Sequence, residues 1–231
     1  SNQEKMAENF RKMIIAMSKD IRVIIVKLAD RTHNMRTIRA LPEEKRHRIA
    51  EETLEIYAAI AGRLGIHRIK AELEDLSIRE LKPSVYYSLT TKVAHKRIER
   101  EKIIETAKNQ LVEKLNEAKI QANIQGRAKH FYSIYKKMSE KKIEFEDIYD
   151  LFALRILVST VNECYETLGI IHNIYKPVPG RFKDFIALPK ANLYQSLHTT
   201  VVATKGELLE IQIRTHQMHN IAENGIAAHW V

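Results

Sequence analysis

The apolar positions of this 231-residue chain keep one period through its first half and another after it. Phe10, Met13, Ile14 and Met17 recur at i, i+3, i+4 and i+7, the stripe of one buried helix face. Ile21 to Leu28 is apolar nearly all round, which predicts a helix central in a bundle. Pro42 followed by Glu43 and Glu44 opens a further helix, with proline near the first turn and acids at the positive end of the dipole. That helix runs towards AGRLGI, where Gly62 and Gly65 punctuate, and Pro83 marks the next break. Lys92 to Ala118 is a long charged helix with Ile103, Ile104, Leu111 and Leu115 as its stripe.

After about Ala118 the period shortens. IQANIQGR predicts a strand ending at Gly126, and KHFYSIYKKM a helix with Phe131, Ile134, Tyr135 and Met138 on its inner face. LFALRILVS is a buried strand; NECYETLGIIHNIY is a helix capped by Asn162 and stopped at Pro177. DFIAL, TTVVAT and LLEIQIRT are strands, the last two joined by the hairpin turn TKGEL, and HQMHNIAENGIAAHW is a final helix. The expected class is α+β: an all-α segment over 1–90, a connecting helix over 91–118, and a mixed sheet flanked by helices over 119–231.

Composition narrows this picture. Apolar residues make up 45% of the chain, enough for a core. The longest apolar run, Val23 to Ala29, already contains Lys27, whereas a membrane span needs ~18 uncharged residues. Ser1 to Asp20 is charged and helix-patterned, unlike a secretory signal. Cys164 is the only cysteine, so no internal disulfide forms and a cytoplasmic location is expected, with Cys164 as inert packing. The net charge of +9, from 38 basic and 29 acidic residues, fits either a solvated surface or an anionic partner such as a nucleotide or nucleic acid. His216 and His219 have a spacing a metal could use, but no acid or cysteine accompanies them, and helix-surface histidines are expected.

The candidate chemistry starts at LLEIQIRT. Side chains alternate across a strand, so Leu209, Ile211 and Ile213 share one face and Glu210, Gln212 and Arg214 the other, which in an antiparallel sheet can simply meet water. Asp150 sits at the mouth of the strand LFALRILV, either as a turn residue or, with Glu210 from a neighbouring strand, as a carboxylate for one Mg²⁺. In GRAKHFYSIYKKM, Lys129, Ser133 and Lys137 are spaced by four and line one helical face, with Arg127 just ahead. Ammonium groups, a hydroxyl and a helix N-terminus suit a polyphosphate; the plain alternative is an amphipathic helix with its lysines in water. Arg181, Lys183 and Lys190 add cations, Tyr194 a flat ring for a base, and Gln195 and His198 hydrogen bonds. Two phosphate-rich ligands and a divalent ion suggest phosphoryl or nucleotidyl transfer.

GRAKHFYSIYKKM, YDLFALRI, PGRFKDFIALPKANLYQSLHTTV, EIQIRT and AENGIAAHW, in this order over roughly 95–231, resemble the synthetase domain of the long RelA/SpoT homologues, the stringent-response (p)ppGpp enzymes. IRVIIVKLADRTHNMRTI and ETLEIYAAIAGRLGIHRIKAELEDLSIREL resemble the later part of that family's HD-type hydrolase domain. The resemblance implies a nucleotidyltransferase-like fold with a mixed five-stranded sheet, and transfer of the β,γ-pyrophosphate of ATP to the 3′-hydroxyl of GDP or GTP with release of AMP. Carried over, Asp150 holds Mg²⁺, and Glu210 shares the ion or takes the hydroxyl proton. Arg127 and Arg155 flank the adenine, and Lys129, Ser133 and Lys137 hold the ATP phosphates. Tyr194 stacks on guanine, with Arg181, Lys183, Lys190, Asn192, Gln195, His198 and Gln212 on the acceptor side. Arg155 has the opposite strand parity to Asp150, so their convergence needs a twist or a bulge. RFKD resembles the bifunctional branch, which tends to prefer GTP; Lys183 then contacts phosphate and Asp184 is structural.

LADRTHNMRT places Asp30, Asn34 and Thr37 at i, i+4 and i+7 on one helix face. By resemblance Asp30 is the last ligand of the hydrolase's Mn²⁺, with Asn34 and Thr37 near the nucleotide. No His-Asp dipeptide occurs in the chain, and one carboxylate cannot retain a catalytic ion, so no hydrolase activity is expected from it alone. The family's first hydrolase helices and its C-terminal regulatory domains are expected to lie outside these residues. Apolar bundle surface is then left open for self-association, and ribosome contact is not expected. Three other readings compete with an active synthetase: a folded, nucleotide-binding but inactive regulatory fragment; RNA binding driven by charge; and a tailing-type nucleotidyltransferase, which would place two acids close together on one strand.

Overall fold

The computed structural model describes residues 20–148, 150–203 and 206–230, together with positions 8, 11 and 15. The helix expected around Phe10 to Met17 lies outside them, as do Thr204 and Lys205 of the TKGEL turn. Two compact units are present: one ends at Tyr87 and takes in the chain from Glu223 onward, and the other is Ser88–Ala222.

The first unit is helical. α1 (Ile21–Arg36) is capped by Asp20, whose carboxylate accepts the Arg22 N–H at 2.9 Å. Its buried stripe is Ile24, Leu28, Thr32 and Met35, whereas Val23 and Val26 are exposed. The helix is therefore one-sided here rather than buried all round. α2 (Glu43–Glu52) starts behind Pro42 and passes through a π-helical turn, Thr53–Tyr57, into α3 (Ala58–Arg63). The chain turns at Gly65, whose φ is +75°, into α4 (His67–Leu81). Ile24, Leu28, Met35, Ile38, Ala50, Ile56, Ile60 and Leu73 form the core. The segment after Asn224, expected to prolong the last helix, instead tightens into a 3₁₀ turn, Gly225–Trp230. Gly225 has φ +55°, a Cβ there would lie 2.1 Å from the Leu64 carbonyl oxygen, and the Ile226 N–H donates to that carbonyl at 3.1 Å. Only glycine fits this approach.

α5 (Pro83–Glu117) runs 35 residues, starting nine residues ahead of the expected Lys92 because proline is accommodated at a first helical position. In the second unit β1 (Asn123–Ala128), β2 (Phe152–Val158), β3 (Lys176–Pro177), β4 (Lys183–Asp184), β5 (Leu197–Val202) and β6 (Leu208–Thr215) form one mixed sheet. Its order is β1-β2-β6-β5-β3, with β4 also on β5. The sixth strand beyond the expected five arises because β3 and β4 are two-residue edge pairings. β2 and β6 are parallel and the other pairs antiparallel. α6 (Phe131–Lys141) follows β1, α7 (Val161–Ile174) follows β2, and α8 (His216–Asn224) follows β6.

Three local expectations differ. α7 is capped by Thr160, not Asn162: the Thr160 hydroxyl accepts the Glu163 N–H and the Glu163 carboxylate accepts the Thr160 N–H, a reciprocal capping box. DFIAL is not a strand past Asp184. The Asp184 carboxylate accepts the Ile186 and Ala187 N–H groups at 2.9 and 2.8 Å, and a side chain that takes the backbone donors in this way makes a turn. Lys129 is not on a helix face, because α6 starts only at Phe131.

One sheet face carries the core. Ile124, Ile156, Ile213 and Leu197 are successive partners across β1, β2, β6 and β5 and pack with Leu111, Leu115, Cys164 and Ile171 from α5 and α7. Since a strand alternates, their neighbours line the other face.

Candidate active site

The second face is polar in register. Gln125, Arg155, Gln212, His198 and Lys183 are successive partners across β1, β2, β6, β5 and β4. The next row holds Arg127, Ala153, Glu210 and Thr200. Arg155 therefore shares a face with Glu210 and Gln212. Asp150 precedes β2 rather than lying in it, so strand parity does not separate the two residues and no bulge is required.

This face is not simply wet: Gln212 and Arg214 are 3% and 1% exposed. Burial of polar groups demands partners, and the Gln212 amide has two, while among the described residues the buried Nε atoms of Arg155 and Arg214 make no hydrogen bond. The Arg127 guanidinium donates to Gln212 Oε1 at 3.2 Å, and Gln212 Nε2 donates to Glu210 Oε1 at 3.0 Å. His198 Nδ1 lies 3.6 Å from Glu210 Oε1, and its Nε2 is 2.8 Å from the Tyr194 hydroxyl. Burial first, then the charges of Lys190, Arg127, Arg214 and Lys183, push the His198 pKa down to about 3. The His198–Glu210 approach is thus between a neutral ring and a carboxylate, not an ion pair.

Asp150 stands at the entrance of β2. Lys129 Nζ donates to its Oδ2 at 2.5 Å and Lys137 Nζ to its Oδ1 at 2.7 Å. Burial alone would raise the Asp150 pKa, but the hydrogen bonds and charges of the two lysines outweigh it and lower the value. Lys129 comes from the end of β1, where its N–H bonds the Leu151 carbonyl at 2.9 Å, and Lys137 comes from the second turn of α6. Ser133 is half-buried on the same helix.

The loop before β5 brings an aromatic cluster. Phe185, Tyr194 and His198 meet edge to face, with centroids 6.1, 5.3 and 5.8 Å apart. The Lys190 ammonium lies 4.5 Å from the Phe185 ring centre and 5.1 Å from that of Tyr194. Leu193 has φ +62° in this loop, and Asn192 Oδ1 accepts the Tyr194 N–H at 3.4 Å. Gln195 donates to the Ile186 carbonyl at 3.2 Å, which ties the loop rather than freeing an amide for a ligand. Arg181 is half-buried, and its N–H bonds the Val178 carbonyl.

Three members of the cluster were not singled out in the sequence. Phe185 stands there only within the expected strand DFIAL. Arg214 carried the signal of shared parity with Glu210 and Gln212. His219 reads as a surface histidine, yet its Nδ1 lies 2.7 Å from Arg214 Nη2.

In the helical unit, Asn34 Nδ2 donates to Asp30 Oδ2 at 3.2 Å. Thr37 lies past the end of α1 as its C-cap, with its hydroxyl donated to the His33 carbonyl at 3.1 Å, so the expected single helix face holds only Asp30 and Asn34. Among the described residues no group of three or more His, Cys, Asp or Glu is placed to hold a metal. For Mg²⁺ the donor chemistry of Asp150 and Glu210 fits, since that ion takes one or two carboxylates and completes its shell with phosphate and water. The lone Asp30 does not fit a Mn²⁺ site by itself. No helix among the described residues is long and apolar enough to cross a membrane.

Residues 126–231 match the region found in RelA/SpoT proteins, and residues 1–67 match an HD domain. A GTP pyrophosphokinase of Myxococcus xanthus is 58% identical over 230 residues, all of this chain and 30% of that protein. A probable guanosine-3′,5′-bis(diphosphate) 3′-pyrophosphohydrolase of Synechocystis is 55% identical over 231 residues, again 30% of its length. The bifunctional (p)ppGpp synthase/hydrolase SpoT of Escherichia coli is 52% identical over 228 residues, 32% of its length. The chain thus spans about a third of these relatives. Among solved structures, small alarmone synthetase 1 from Bacillus subtilis bound to its product pppGpp is 26% identical, with a TM-score of 0.46 over 56% of this chain and 76% of that one.

Proposed function

The chain belongs to the RelA/SpoT family, and we propose that its sheet unit is a (p)ppGpp synthetase that moves the β,γ-pyrophosphate of ATP to the 3′-hydroxyl of GTP or GDP and releases AMP. The observation that carries this reading is the pairing of two arrangements in one unit. One is a carboxylate clamped by two lysines at the mouth of β2. The other is a polar sheet face running from Arg155 through Gln212 and His198 to Lys183.

Lys129, Ser133 and Lys137 hold the ATP phosphates, as ammonium groups and a hydroxyl gathered at a strand end can. Arg127 and Arg155 flank the adenine; a guanidinium plane stacks on aromatic faces. On the acceptor side Tyr194 stacks on guanine, Lys190, Arg181 and Lys183 meet phosphate, and Asn192, Gln195, His198 and Gln212 shape the pocket. The 3′-oxygen attacks the β-phosphorus, the bond from that phosphorus to the α-bridging oxygen breaks, AMP leaves with the bond's electrons, and the hydroxyl proton passes to Glu210. Glu210 is placed for this on the polar sheet face, where its Oε1 accepts from Gln212 Nε2 at 3.0 Å and lies 3.6 Å from His198 Nδ1. Mg²⁺, which Asp150 would hold, with Glu210 sharing it where that carboxylate does not take the proton, would supply charge neutralisation on the transferred phosphates.

The resemblance of RFKD to the bifunctional branch, which tends to prefer GTP, favours GTP over GDP as acceptor. Lys183 sits opposite His198 on the site face, while Asp184 is committed to its turn and to the Tyr165 hydroxyl at 2.9 Å. Of the hydrolase metal ligands the resemblance implies, the helical unit supplies Asp30 alone, and we propose no hydrolase turnover for this chain by itself. The test is to incubate the chain with ATP, GTP and Mg²⁺ and assay AMP. Nucleotide binding without AMP release would identify a regulatory fragment instead, and salt-sensitive RNA binding without nucleotide would favour the charge-driven reading.

A further inference from the structure

We infer that the pair of buried Arg214 and half-buried His219 is a positioning device for the acceptor pocket, fixing the ring of Tyr194 and with it the affinity for a guanine nucleotide. Arg214 is the seventh residue of β6, on the face that carries Glu210 and Gln212, and it is 1% exposed. Its guanidinium carbon lies 5.8 Å from the Tyr194 ring centre, within the range of a cation–π contact, while Lys190 stands 5.1 Å from the same centre. A long side chain buried in this way has a defined direction only if its fork is anchored. The anchor is His219, whose Nδ1 is 2.7 Å from Arg214 Nη2.

The proton assignment follows from donor counting. A guanidinium has donors only, so His219 Nδ1 accepts, and in the neutral ring the proton is on Nε2. On the other side of Tyr194, Glu210 is an acceptor beside His198 Nδ1, so the neutral His198 carries its proton there. His198 Nε2 then accepts from the Tyr194 hydroxyl at 2.8 Å. The ring of Tyr194 is thereby held at its hydroxyl by His198 and over its face by two cations. The position of His219 is itself set by the strand-to-helix junction, where the Thr215 hydroxyl accepts the Met218 N–H at 3.1 Å and starts α8. The pair comes from β6 and α8 beside Tyr194, whereas the lysine clamp on Asp150 comes from the end of β1 and from α6, so the effect is expected on the acceptor nucleotide.

The inference rests on the reading of Tyr194 as the guanine-stacking ring. Its test is calorimetric titration of the 231-residue chain with GTP and, separately, with a non-hydrolysable ATP analogue, for the wild type, Tyr194→Ala, His219→Ala, His219→Asn and His219→Gln. His219→Ala is expected to raise the GTP Kd about tenfold and leave the ATP-analogue Kd within about twofold. His219→Asn, whose Oδ1 can occupy the Nδ1 position, should restore GTP binding, and His219→Gln should not. Unchanged GTP affinity in His219→Ala, or equal loss of both nucleotides, overturns the inference. If His219→Ala does not fold, equal GTP affinity in the Asn and Gln variants overturns it. Loss of GTP binding in Tyr194→Ala without loss in His219→Ala removes the positioning role alone. No loss in Tyr194→Ala removes the stacking reading and this inference together.

Discussion

Lys137 Nζ sits 2.7 Å from Asp150 Oδ1, with both side chains largely buried, and Lys129 holds the other oxygen. The carboxylate proposed to bind a divalent ion is therefore engaged by two ammonium groups. Phosphates that draw the lysines away release it. Mn²⁺, used as a paramagnetic probe of the nucleotide-free chain, should bind weakly. Lys137→Met should tighten that binding by about fivefold, the equivalent of ~1 kcal/mol. Equal Mn²⁺ affinity in the two proteins would show that the lysine does not compete.

The same clamp makes stability depend on acid. The Asp150 pKa is lowered on folding, so its contribution is fully present above the unfolded value of about 3.9 and fades as pH falls through the lower folded one. Asp150→Asn leaves two lysines facing an amide and should cost about 1–3 kcal/mol near neutrality. Urea denaturation of both proteins should show that cost shrinking below about pH 4.

His198 acts in the same direction, over a higher pH interval. Its pKa is about 3 in the fold against an ordinary value near 6.5. The unfolded chain therefore binds a proton across that interval that the folded one refuses. Folding stability falls by on the order of 1.4 kcal/mol per pH unit as acid is added through it. Proton NMR of the His198 ring should show no titration between about pH 5 and 8. Lys190→Ala, which removes one of the cations responsible, should move the pKa upward.

Two local devices have separable costs. Thr160→Ala removes one half of the capping box of α7 and should lower stability by about 1 kcal/mol, visible in Tm, with nucleotide binding kept. Gly225→Ala places a methyl group against the Leu64 carbonyl at a positive φ and should cost more, about 2–4 kcal/mol.

The elements and the polar parity of LLEIQIRT were legible because alternation and helical period are local properties of the chain. DFIAL has the apolar content of a strand, while Asp184, one side chain, decides that the backbone turns. The start of the long helix is ambiguous in sequence because Pro83 breaks a helix in its interior and begins one at its first position. In the site, the residue types of GRAKHFYSIYKKM pointed to phosphate, but the convergence of Lys129 and Lys137 on Asp150 depends on how a strand end, a helix and a loop meet. Arg214 and His219 lie five residues apart across a strand-to-helix junction, where neither period applies, so their contact had no sequence signal.

Whether the chain transfers pyrophosphate as proposed is decided by ³¹P NMR of the chain with ATP, GTP and Mg²⁺, with Glu210→Gln alongside. The expected result is AMP appearing together with a guanosine product that has gained a 3′-diphosphate, and neither signal in Glu210→Gln although that variant still binds the ATP analogue. Wild-type chain that binds both nucleotides and yields no AMP, or Glu210→Gln that turns over like wild type, would contradict it.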